Sequence, residues 1–265
     1  MNPYNIINFI SKNRTEKYSK EKIKEISNLL PVPIEGESYE NENGLQGKWK
    51  RKNDGGYEIS TYKNNIKNGT SESYNPNGQL TSKQEFFNGK PNGIWEEYYN
   101  NGDLYSKQEY LNGERNGIWE YYHPNGQLKS KGKFLNGEKN GIWEEYYSNG
   151  QLYSKQEFFN GKLNGIWEEY FKNGQLYSKK EFLNGKQNGS YESYNYNGQL
   201  TKKGKYLNGE RNGIWEYYHP NGDLYVKGKF LNDKKNGIWE EYYSNGQLYS
   251  KQEYLNGKLI SNQEY

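Results

Sequence analysis

The chain contains no cysteine and no alanine, one methionine and two valines. Without thiols there are no disulfides and no thiolate metal sites. Without alanine the best helix former is missing, which weakens any helix-rich reading. Leucine, isoleucine, valine and phenylalanine supply only 45 of the 265 residues, too few for an ordinary aliphatic core. Charge of one sign is also scarce, since 36 basic residues face 33 acidic ones for a net +3. Residues 1–30 hold six Lys/Arg and three Glu, so the remaining 235 residues are electrically balanced. A protein that grips phosphate backbones carries a basic surplus, so the balance disfavours nucleic acid as the partner. No apolar run reaches the roughly 18 residues of a membrane-spanning helix. The opening MNPYNIINFI lacks the basic start and unbroken apolar stretch of a secretory signal, which makes the cytoplasm the expected location.

Aromatic rings and turn formers take the vacant places. There are 29 tyrosines, nine phenylalanines and seven tryptophans, with 31 glycines and 38 asparagines. Apolar area must therefore come from rings laid on an extended surface, joined by tight turns. The expected class is all-β.

The spacing of the glycines sets the architecture. Gly69, Gly93, Gly117, Gly141, Gly165, Gly189, Gly213 and Gly237 recur every 24 residues, as do the eight from Gly78 to Gly246. Eight units read roughly NGIWEEYYSNGQLYSKQEYLNGK, without insertion or deletion. A worn copy with Gly47, Trp49 and Tyr57 precedes them. Residues 111–163 and 207–259 are nearly identical at a displacement of 96, the mark of an internal duplication.

Each unit holds two apolar–polar stretches separated by turns containing Asn-Gly, which reads as a β-hairpin. Three units write one turn with proline, at Pro76, Pro124 and Pro220. Proline presets the first turn position and glycine takes a left-handed site, which fits a three-residue loop with a bulge. Strict alternation from that turn gathers Ile94, Glu96, Tyr98, Leu104, Ser106 and Tyr110 on one face. Trp95, Glu97, Tyr99, Tyr105, Lys107 and Glu109 then form the other. Stacked hairpins of this kind give an elongated single-sheet antiparallel meander. The expected division is a helical cap over 1–33, degenerate repeats over 34–68, eight hairpin repeats over 69–260 and a tail over 261–265. The cap rests on helical spacing over 4–12 and 19–30, with Ser19 as N-cap and Pro31 and Pro33 as the stop.

Gly93, Trp95, Tyr98, Gly102 and Leu104, with their equivalents over about residues 44–257, resemble the bacterial variant of the MORN repeat. Proteins built from it are commonly described as YwqK-like antitoxin components. The resemblance implies a binding or scaffold protein, with phospholipid or helical partners credited to some such arrays. It implies a toxin or effector enzyme as partner if this chain is antitoxin-like.

Catalytic chemistry finds no purchase. His123 and His219 occupy the same slot before a proline turn, and the duplication accounts for both. The Glu column from Glu96 to Glu240 repeats one environment, whereas acid–base pairs need two different ones; it reads as a structural ladder partnered by lysines and tyrosine hydroxyls. The Lys column from Lys83 to Lys251 is interleaved with acid and reads as a solvated, salt-laced face. Every Asn-Gly is taken as a turn. No cofactor is expected. The tryptophan line admits two readings, ring-on-ring packing or an aromatic strip open to a partner. Variation between units, as at Tyr105, Lys129, Tyr153, Tyr177, Thr201, Tyr225 and Tyr249, favours a partner on the tryptophan-bearing face. The candidate contact residues are Trp95, Tyr99, Tyr105, Lys107, Trp119, Trp143, Tyr147, Tyr153, Lys155, Trp167, Phe171, Tyr177, Trp215, Tyr225, Trp239 and Tyr249. The sequence-level conclusion is a non-enzymatic protein-binding array. Aromatic–lysine nucleic-acid binding and a lipid-surface scaffold remain as alternatives.

Overall fold

The computed structural model describes residues 30–53 and 55–265. The helices expected over 4–12 and 19–30 lie outside the described residues, apart from Leu30, which sits in a bend before the first strand. The chain divides into two compact units, Met1–Gly126 and Gln127–Tyr265. Each is all-β among its described residues.

In the first unit the strands are β1 (Val32–Asn41), β2 (Gly44–Asn53), β3 (Gly56–Lys63), β4 (Ile66–Tyr74), β5 (Leu80–Phe87), β6 (Lys90–Tyr98), β7 (Leu104–Leu111) and β8 (Glu114–Tyr122). Each pairs antiparallel with the next, so the unit is an open meander. The second unit continues the alternation from Leu128–Leu135 to Lys258–Glu264. The antiparallel hairpin repeat expected from the 24-residue period is the observed fold. No described helix is long and apolar enough to cross a membrane.

Two turns alternate, one at each edge. At the first, Gly102 N–H donates to Tyr99 O at 2.9 Å and Tyr99 N–H to Asp103 O at 2.8 Å. That is the expected three-residue loop, with Gly102 in the left-handed region at φ +91°. At the second edge Asn112 and Gly113 both take positive φ, 53° and 91°, a two-residue type I′ turn whose twist suits the hairpin. Here Gly113 N–H donates to Pro91 O at 2.8 Å, which bonds the turn to the preceding hairpin. Asn112 N–H likewise donates to Asn92 Oδ1 at 3.1 Å. Asn92–Gly93 is therefore not a turn, contrary to expectation. It lies inside β6, and its counterpart Asn116–Gly117 lies at an irregularity in β8.

The expected faces need a correction, and the cause is a bulge. Glu97 opposes Ser106 while Tyr98 opposes Leu104, which leaves Tyr105 as the extra residue. One extra residue reverses every side chain beyond it. Ser106, Gln108 and Tyr110 consequently join Trp95 and Glu97, because Trp95 opposes Gln108 and Gly93 opposes Tyr110. Lys107 and Glu109 move to the face of Glu96, Ile94, Tyr98 and Leu104. The same shift recurs in the equivalent hairpins of the second unit.

Candidate binding surface

The tryptophan face is the core. Trp119, Trp143, Trp215 and Trp239 are only 2–7% exposed, and Ser106, Ser154, Ser178 and Ser250 beside that column are buried. Three glycines form platforms for the indoles. A Cβ on Gly132, Gly204 or Gly228 would collide with the ring of Trp143, Trp215 or Trp239 respectively. Each indole also finds a backbone acceptor, as Trp143 Nε1 donates to Lys133 O and Trp239 Nε1 to Lys229 O, both at 3.2 Å. Aromatic partners meet edge to face, with Phe134 5.1 Å from Trp143 and Phe230 4.8 Å from Trp239. Cations cover the rings: Lys139 Nζ lies 4.2 Å from the Trp143 ring, Lys235 Nζ 4.3 Å from Trp239, and the Arg115 guanidinium 5.0 Å from Trp119. Burial holds the Lys139 ammonium below its usual pKa. Of the two readings left open by the sequence, ring packing describes these four tryptophans. Trp95 and Trp167 differ in being half-buried, with indole N–H groups that have no acceptor. In the first of the eight units Ser71 stands in the tryptophan position, and its hydroxyl donates to Glu58 at 2.6 Å.

The opposite face carries the acids and lysines together. In the first unit Glu72, Lys83, Glu96, Lys107 and Glu120 face one another in succession across neighbouring strands. In the second unit Glu144, Lys155, Glu168, Lys179 and Glu192 do the same, continuing to Lys251. Lys107 and Lys155 thus leave the candidate surface on which the sequence placed them. Ion-pair distances vary, from 2.8 Å for Lys203–Glu216 to 3.5 Å for Lys83–Glu72. Such exposed pairs contribute about 0–1 kcal/mol each and set register more than stability.

Each acid has a second partner on its own strand. The hydroxyls of Tyr98, Tyr146 and Tyr170 donate to Glu96, Glu144 and Glu168 at 2.8–2.9 Å. Burial, reinforced by the neighbouring carboxylate, pushes the pKa of Tyr74, Tyr98, Tyr122, Tyr146, Tyr170 and Tyr194 up to about 12. Because the folded value lies above the unfolded value near 10, this contribution is complete below pH about 10. It is lost as pH rises toward about 12. Alkaline unfolding is expected in that window, with ultraviolet titration showing this set of tyrosines ionising as the fold is lost. Early ionisation of these six in a folded protein would contradict the arrangement.

The remaining candidate residues line the edge of the three-residue loops. Ring pairs stand at 5.1 Å in Tyr99–Tyr105, Tyr147–Tyr153, Phe171–Tyr177 and Tyr243–Tyr249, and at 4.8 Å in His219–Tyr225. Tyr99 and Tyr147 hydroxyls donate to the carbonyls of Tyr122 and Tyr170, at 2.7 and 2.8 Å. His219 is the structural equivalent, its Nε2 lying 2.9 Å from Tyr242 O. In four of the five pairs the second ring stays open, with Tyr153, Tyr177, Tyr225 and Tyr249 39–48% exposed, while Tyr105 is half-buried. No cluster of metal-ligating side chains occurs among the described residues.

Sequence reasoning missed the glycine platforms and the covering cations. Both could have been found by noting that Gly132, Gly204 and Gly228 each precede a unit with Lys or Arg immediately before its Asn-Gly.

Among solved structures, a crystal structure of TarM is 16% identical to this chain with a TM-score of 0.22, covering 52% of this chain and 26% of that one. The TcdB2-TccC3-Cdc42 complex is 15% identical with a TM-score of 0.22, covering 86% of this chain and 15% of that one. The chain thus spans about a quarter or less of these proteins, and likeness this slight carries no argument about function. No curated protein sequence matches the chain. The family profile described as "MORN repeat variant" does, over residues 67–88, 91–112, 115–136, 139–160, 163–184, 211–232 and 235–256. Each match runs from one type I′ turn to the next, and together they take in more than half of the sequence. By that measure and by its hairpin geometry, the chain belongs to the MORN repeat variant family.

Proposed function

We propose that this protein is a non-enzymatic binding array that engages another protein along the edge formed by Tyr153, Tyr177, Tyr225 and Tyr249. The observation that carries the reading is the exposure of those rings in fixed aromatic pairs, at the position where the units differ. Rigid, half-exposed tyrosines supply contact area at small entropic cost, which is how they dominate interfaces. The sharper form of the proposal, resting on the family resemblance, is an antitoxin or inhibitor that occludes an effector such as a nuclease in the cytoplasm. The alternating Glu–Lys face weighs against phosphate tracking, because each lysine there meets carboxylates on neighbouring strands.

Affinity capture from the native cell identifies the partner, and the double variant Tyr153→Ser, Tyr177→Ser then tests the edge. Binding is expected to weaken by about 1–3 kcal/mol, with the melting temperature within a few degrees of the parent. Unchanged affinity, or loss of the fold, would remove the edge from consideration.

A further inference from the structure

Among the described residues, four of the tryptophan rings are covered by a cation, and Trp95 is not. At Trp119, Trp143 and Trp239 the ring is covered by a cation four residues earlier, Arg115, Lys139 or Lys235. An acid stands two residues after the indole in the last two, Glu145 or Glu241. Glu145 lies near enough to Lys139 to raise its pKa against the effect of burial. At Trp167 the covering position is Leu163, but Lys180 from the next strand replaces the cation. Its Nζ is 4.7 Å from the ring and 2.6 Å from Glu169.

Trp95 has neither. The covering position is Pro91, and Gln108 stands where Lys180 stands at Trp167. Among the described residues no cation lies over the Trp95 ring, and Glu97 beside it has one hydrogen bond, from Ser106 Oγ at 2.8 Å, and no ion pair. Tyr110 flanks the indole at 5.4 Å, tilted by 35°. Trp95, Glu97 and Tyr110 are all half-buried, so each keeps part of its surface open.

We propose that Trp95, Tyr110 and Glu97 form a binding site for a cationic side chain, a lysine or arginine presented by a partner protein. The sister units act as internal templates. In them the chain's own ammonium or guanidinium covers the ring, and at Trp167 the same ammonium also reaches the acid, so an indole with a neighbouring carboxylate accepts that chemistry. With Pro91 in the covering position and Gln108 opposite, the Trp95 site has no cation of its own, and a half-buried carboxylate stands beside the indole. A partner's cation would restore both interactions. The proposal deepens the binding reading above at a separate position, and its test does not require the unidentified partner.

The probe is an acetylated, amidated Gly-Arg-Gly peptide, with Gly-Gln-Gly as the neutral control, titrated against the full chain. The reading is the indole N–H resonance of each tryptophan. The arginine peptide is expected to shift the Trp95 resonance saturably and leave Trp143 and Trp239 in place, while the glutamine peptide shifts none. Pro91→Lys should supply the missing cation from within and lower the apparent affinity at least fivefold, without loss of melting temperature. Glu97→Gln should weaken binding by a similar factor. Equal shifts at the covered tryptophans, equal response to the neutral peptide, or undiminished binding by Pro91→Lys would overturn the proposal. Those results would leave the Tyr153–Tyr177 edge untouched, since its own variant reads a different surface.

Discussion

Replacing Trp215 with alanine is expected to remove about 3–5 kcal/mol of stability. The indole is 2% exposed and meets Tyr191 at 5.6 Å, Tyr206 at 5.2 Å and Phe230 at 6.1 Å. Gly204 packs under the ring and Gly228 stands directly opposite Trp215, so neither of these two positions has a side chain that could fill the void. The loss should be near the upper end for an aromatic truncation for that reason. Its Nε1 also releases Lys205 O, now 3.2 Å away. Thermal or urea unfolding should show the change as an earlier transition, with tryptophan emission moving to the red. Trp95→Ala serves as the comparison and should cost clearly less, because that ring is half-buried and opposes Gln84 and Gln108. If the two variants unfold together, the glycine platforms do not organise the core. The ordering also opposes what variability between units suggests. A face that changes from unit to unit looks like a recognition face, yet here it is the packed one.

That inversion shows where the sequence was legible and where it was not. The 24-residue period fixed the hairpins because every unit must present the same edges to its neighbours, and the proline in three turns identified the loop at Gly102. The bulge at Tyr105 was invisible to a reading based on alternation, since period two holds on either side of it and only the phase changes. The charges contained the missing information. With the bulge, Glu96 faces Lys83 and Lys107 on its two flanking strands. Without it, Lys107 would join Trp95, and Glu96 would face no lysine on β7. Cross-strand charge pairing is a constraint on register, and here it was a better guide than the conservation of Tyr98 and Leu104 across units. The covering cations were hidden differently. Arg115, Lys139 and Lys235 sit near an edge of their strands, where a lysine is usually read as solvation, and only the ring beneath them shows otherwise.

Deleting residues 141–164 is expected to leave a folded protein shorter by one hairpin. The cut joins Asn140 to Gly165, so that the sequence again reads Lys-Asn-Gly-Ile-Trp and every downstream side chain keeps its face. Trp167 then occupies the place of Trp143, above Gly132 and beneath Lys139. It should gain the buried environment it lacks in the parent chain. Stability falls only by the interfaces of one hairpin, because in such an array each hairpin contacts its neighbours alone. Deleting 141–152 has a different outcome. It joins Asn140 to Tyr153, merging the start of one strand with the middle of its antiparallel partner. Ser154 and Gln156 are thrown onto the Glu–Lys face, and the polarity of all later strands is reversed. Circular dichroism and a cooperative melt should therefore survive the longer deletion, whereas the shorter one should lose the aromatic bands and expose tryptophan. Survival of both would mean that the hairpin is not the unit of cooperativity. Failure of both would mean that contacts beyond nearest neighbours hold the sheet together.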